Sequence, residues 1–117
     1  MLFSYSDIEG STHDDIFKRG RQYFSQGLVS APSVQRGGEI VSGIVRDPYG
    51  KSLRVYVRTL VEDTGISLHG ECSCRRRSNC EHVVALLLQA LQDQGDLPEA
   101  VAADDALHAT GRSSASR

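Results

Sequence analysis

The sequence predicts an α+β fold: a small antiparallel sheet of three or four strands, an N-terminal helix, and a C-terminal helix anchored through a cluster of cysteines and a histidine. Three observations carry this. Apolar residues recur at helical spacing near both ends, short β-rich runs broken by turn residues fill the middle, and four soft or borderline ligand side chains crowd into residues 72–82. The 117 residues, 39% apolar and 24% charged, supply one globular domain. A domain of that size buries only about 60–70% of the surface its unfolded chain exposes, so a metal cross-link would reinforce a modest core.

The first helix is expected over residues 12–26. Ser11 and Thr12 can cap it, Asp14 and Asp15 place negative charge at the positive end of its dipole, and Ile16, Gly20 and Tyr23 fall on one stripe widened by Phe17 and Phe24. Gly27 stands where helices commonly end. Strands follow over 28–34, 39–46, 53–61 and 66–71, separated by Gly37-Gly38, by Asp47-Pro48-Tyr49-Gly50 and by the turn at 62–65. In the third strand Leu53, Val55, Val57, Thr59 and Val61 share one face, and Arg54, Tyr56, Arg58 and Leu60 share the other. In the fourth, Ile66 and Leu68 face inward and His69 outward. Val83, Val84, Leu87, Leu88 and Leu91 then define a second, more apolar helix with Gly95 as its stop. A short helix over 98–108 is compatible with the sequence, and the remainder, rich in Ala, Asp and Ser, reads as a tail or linker. The chain divides into a lead-in (1–11), the metal-binding module (12–95) and the tail (96–117).

Cys72, Cys74, Cys80 and His82 form a complete donor set for tetrahedral zinc. Three thiolates and one imidazole close the shell, whereas catalytic zinc keeps a position for water, so one structural Zn2+ is expected and no catalytic residue. Residues two apart on a helix point to opposite sides, which places Cys80 just before the helix and His82 in its first turn. Iron–sulfur clusters use similar donors. His69 is a spare imidazole three positions before Cys72, but the shell is complete without it; His13 and His108 lie in polar stretches.

The pattern C-x-C-x5-C-x-H, followed by Val83-Val84-Ala85-Leu86-Leu87-Leu88, resembles the SWIM-type zinc finger. The upstream run from Phe17 through Gly20, Tyr23-Phe24 and Gly27 is similar to the helix and glycine turn that precede this finger in bacterial helicase-like ATPases of the chromatin-remodelling type. The resemblance implies a module that binds DNA or protein. No phosphate loop, acidic ATPase motif or transposase triad accompanies it in this chain.

Charge is unevenly spread. Residues 17–77 hold eleven bases against five acids, while the chain as a whole has a formal charge of −2. A basic centre suits a polyanion. Arg54, Tyr56 and Arg58, with Arg75, Arg76 and Arg77, are the candidate nucleic-acid contacts, because guanidinium groups grip phosphates and a phenol ring offers a stacking face. Pairing of these arginines with Glu39, Glu62 or Glu71 is the structural alternative. DNA or another nucleic acid is therefore the expected partner. The alternative function is a protein-interaction module docking on a partner or on an attached ATPase through its helices. Neither an enzyme nor a small-molecule site is expected. The absence of a signal-like start or membrane-length apolar run, with unpaired cysteines, leads to an expected cytoplasmic location.

Overall fold

The computed structural model describes residues 1–74 and 79–98. Arg75, Arg76 and Arg77 and the greater part of the expected tail lie outside the described residues. Among the described residues, three α-helices and four strands run in the order α1 (Tyr5–Gly10), α2 (Asp14–Ser25), β1 (Ser33–Gln35), β2 (Ile40–Arg46), β3 (Ser52–Glu62), β4 (Gly65–Cys72) and α3 (Glu81–Asp93), with a short 3-10 turn at Arg36–Gly38. The sheet is antiparallel throughout, with spatial order β1-β2-β3-β4. This is the expected α+β class with a fuller N-terminal layer than the sequence suggested.

The difference at the N-terminus is α1, inside the expected lead-in. Ser4 and Asp7 form a reciprocal capping box, satisfying two amides that a six-residue helix would otherwise leave open. Phe3 and Ile8 are buried, and the Tyr5 ring meets Phe17 edge-on at 5.4 Å. Ser11 and Thr12 consequently close α1 rather than open α2: their hydroxyls donate to the Asp7 and Ile8 carbonyls. His13 stands at the start of α2 without a side-chain cap bond. Both long helices end alike. Leu28 N–H reaches the Tyr23 carbonyl and Gly27 N–H that of Phe24; Asp96 and Gly95 repeat the pattern on Leu91 and Gln92. Gly27 at φ 72° and Gly95 at φ 76° supply the left-handed residue this closure requires.

The first expected strand is interrupted. Val29 bridges Val45 and Ser30 bonds Ile44 through its N–H and its hydroxyl, but the register then slips by one residue, Ala31 and Pro32 together facing Gly43, before regular pairing resumes at Ser33 opposite Ser42. On β3 the alternation holds from Leu53 to Thr59, the latter donating its buried hydroxyl to the Gly38 carbonyl at 2.7 Å. Val61 shares their face as expected but is 67% exposed. The β3–β4 hairpin runs past the layer that covers Thr59, and there Val61 pairs across the strands with half-buried Ile66.

Helix α3 is the core. Val83 through Leu88, Ala90 and Leu91 are all buried, as expected of a helix apolar on nearly every side. It lies between the inner sheet face and α2, and glycines admit it on both sides. A Cβ at Gly20 in α2 would collide with Val84. At Gly43 in β2 it would come within 2.8 Å of Leu86 Cδ1, and at Gly70 in β4 within 2.6 Å of Val83 Cγ1. Gly43 opposes Val55 and Gly70 opposes Val57, so the two sheet glycines flank a valine ridge and together form the trough that seats the helix. That seat determines where the first turn of α3 meets the end of β4.

Candidate metal centre

Alternation along β4 turns Leu68, Gly70 and Cys72 toward the core, which carries the Cys72 thiol inward at the last residue of the strand. Pairing with β3 continues one residue further: Ser73 N–H donates to the Arg54 carbonyl and the Ser73 hydroxyl accepts from Arg54 N–H, both at 3.1 Å. The chain then folds Cys74 back beside Cys72. Cys80 precedes α3 in extended backbone, with φ −88° and ψ −178°, and His82 lies in the first turn, the placement required by their two-residue spacing.

The three sulfurs and one imidazole nitrogen lie within 4.8 Å of one another. Cys74 Sγ to Cys80 Sγ is 3.4 Å, and His82 Nδ1 is 3.4 Å from Cys80 Sγ and 3.6 Å from Cys72 Sγ. Zinc bonds of ~2.3 Å to sulfur and ~2.0 Å to nitrogen give a tetrahedron with edges of about 3.5–3.8 Å, so the donors fit one ion. Nδ1 is the nitrogen turned to the sulfurs. Nε2 is buried without a hydrogen-bond partner among the described residues, beside the Tyr23 ring at a centroid distance of 5.3 Å. Cys72, Cys74, Cys80 and His82 are thus positioned to bind one structural Zn2+, which would tie the end of the sheet to the start of α3. His69 is elsewhere, exposed and hydrogen-bonded to the Ser67 hydroxyl at 2.8 Å.

Protons in the metal-free cluster are shared unevenly. The Cys80 thiol donates to Cys72, which lowers the Cys72 pKa, and that same bond with burial pushes Cys80 up to about 12. Cys80 is fully buried, whereas Cys74 is partly open beside a cavity of about 530 Å3 whose lining includes Arg19, Asp47, Lys51 and Glu81. Solvent reaches the ligands from that side.

Asn79 is the residue that sequence reasoning missed. Its backbone is left-handed at φ 41°, a conformation asparagine tolerates better than most residues. Its side chain accepts from Gly70 N–H at 2.8 Å and donates to the Leu68 carbonyl at 3.1 Å, while its own N–H donates to the Gly70 carbonyl at 3.1 Å. These bonds clamp the segment before Cys80 to β4. Asn79→Ala is expected to lower stability by about 1–3 kcal/mol through the stranded Gly70 amide and Leu68 carbonyl, and to weaken zinc retention against a chelator. Asn79→Asp should recover only part, since a carboxylate accepts from Gly70 but cannot donate to Leu68. Equal chelator resistance in Asn79→Ala would contradict the role.

Of the expected nucleic-acid contacts, Arg54, Tyr56 and Arg58 stand together on the outer face of β3. Among the described residues no ion pair joins Arg54 or Arg58 to Glu39, Glu62 or Glu71; Glu39 pairs instead with Arg36 at 3.5 Å.

No helix of the described residues is long and apolar enough to cross a membrane. Neither a curated protein nor a solved structure matches the chain. The family model that does match is that of the SWIM zinc finger, over residues 56–91, a segment that starts within β3, contains all four zinc donors and ends in α3.

Proposed function

We propose that this zinc-ordered module binds DNA, and that the outer face of the sheet is its contact surface. One observation carries the reading: on β3, an interior strand, Arg54, Tyr56 and Arg58 are all exposed on the side away from α3. Arg46 at the end of β2 adds a third exposed guanidinium group. The zinc ion contributes no chemistry to a substrate in this reading; it holds β4 in register with α3, and β4 in turn is the neighbour on which β3 lies.

Phosphate contacts release counterions, so affinity should fall linearly in log[salt]. Arg54→Ala and Arg58→Ala should each reduce that slope by about one while leaving zinc content unchanged. Fluorescence anisotropy of the zinc-loaded chain across a salt series measures it. Absent binding, or binding indifferent to salt, rejects the reading and leaves capture of a protein partner, insensitive to nuclease, as the alternative to pursue.

A further inference from the structure

We infer that the outer sheet face takes DNA as a single strand, with an unpaired base stacked on Tyr56. This rests on the DNA reading above and specifies the form of DNA. The first argument is shape. A duplex major groove about 12 Å wide admits a helix or a two-stranded ribbon. Four strands about 4.8 Å apart present a surface at least about 14 Å across, and the apolar helix α3 is buried beneath it. A duplex could meet this face through phosphates alone, leaving the Tyr56 ring without a base. A single strand lays its bases on a surface of this kind, as aromatic-bearing sheets do with unstacked nucleotides.

The second argument is the arrangement around the ring. Tyr56 is 43% exposed, and its cross-strand partners are Ser42 on β2 and Glu71 on β4. Neither is aromatic or cationic, so the ring is flanked by groups able to hydrogen-bond a base edge without stacking on the ring themselves. A groove of about 540 Å3 opens beside it, and its lining includes Ser42, Ile44, Arg54, Glu71 and Ser73. Arg54 and Arg58 bracket Tyr56 along β3, about 13 Å apart by strand rise, so phosphates on either side of the stacked nucleotide each meet a guanidinium group. Stacking and phosphate contact make no demand on a 2′-hydroxyl, so neither requires RNA, and DNA is carried over from the reading above.

The test uses the full zinc-loaded chain with three labelled probes at one salt concentration: an oligothymidylate, the matching oligouridylate and a DNA hairpin of mixed sequence. The oligothymidylate should bind at least about tenfold more tightly than the hairpin. Tyr56→Ala should weaken it about 5- to 150-fold with an unchanged salt slope, and Tyr56→Phe should retain it, because the ring and not the hydroxyl stacks. Unchanged zinc content and melting temperature in both variants verify the fold. Tight hairpin binding that depends on Arg54 and Arg58 but not on Tyr56 overturns the single-strand inference and leaves the broader DNA reading standing. Preference for the oligouridylate overturns the assignment to DNA. No binding to any probe removes both.

Discussion

Cys80→Ser is expected to abolish stoichiometric zinc binding and to lower the melting temperature by roughly 20 °C or more, the shift that a loss of about 5 kcal/mol produces in a domain of this size. Zinc binding in small structural sites is worth about 10–16 kcal/mol, comparable with the whole ~5–15 kcal/mol stability of a typical domain. Here the ligand set spans the junction on which the core depends: Cys72 ends β4, and Cys80 and His82 bracket the start of α3. Losing a donor frees α3 at the end where it meets the sheet. Cys74→Ser should be milder, because Cys74 is the most open of the four ligands and water can replace its sulfur. Acid should reproduce the effect. In the metal-free cluster Cys80 keeps its proton up to about 12, so zinc loading at neutral pH expels protons and affinity falls as pH falls. Metal analysis, thermal melts and proton release in weak buffer provide the measurements. A Cys80→Ser protein that keeps one zinc and its melting temperature would contradict the assignment.

Leu86→Ala is expected to cost about 2–5 kcal/mol, the range for a fully buried leucine whose cavity cannot close. Leu86 is inaccessible to solvent, and its Cδ1 occupies the space over Gly43. Gly43→Ala alone should also destabilise, by about 1–3 kcal/mol, since its new methyl would press on that Cδ1. Together the two changes should cost less than their sum, because the added methyl enters the void the leucine leaves. Denaturant titration of the two single variants and the double variant measures the coupling. Strict additivity would mean that α3 is not seated on Gly43.

The donor set and α3 were legible because both are local. Thiols and an imidazole at short spacing announce themselves by chemistry, and the Val83 to Leu91 run has one periodicity from end to end. The alternation of β3 was equally plain from Leu53 to Thr59. What escaped depended on position in three dimensions. Val61 continues the alternation but lies beyond the covered part of the sheet. The strand before Ser33 looked continuous because a one-residue slip in register at Ala31 and Pro32 leaves the β-rich composition unbroken. Helix α1 is too short for a periodic signal, although Ser4 and Asp7 at capping-box spacing were available as a cue. Gly20 was visible as a member of a helical stripe, but not as the site where Val84 packs. Asn79 carried no sequence mark at all: its importance arises from one left-handed backbone conformation that folds its amide onto β4.

That same asparagine bears on self-association. Strand β4 forms one border of the sheet, and such borders offer open amides and carbonyls to any extended chain that drifts past. Near the zinc site, three of those sites are already filled by Asn79: the Gly70 amide and carbonyl, and the Leu68 carbonyl. A foreign segment would have to displace the amide side chain before it could lengthen the sheet there, so the device that places Cys80 also shields this border from templated growth.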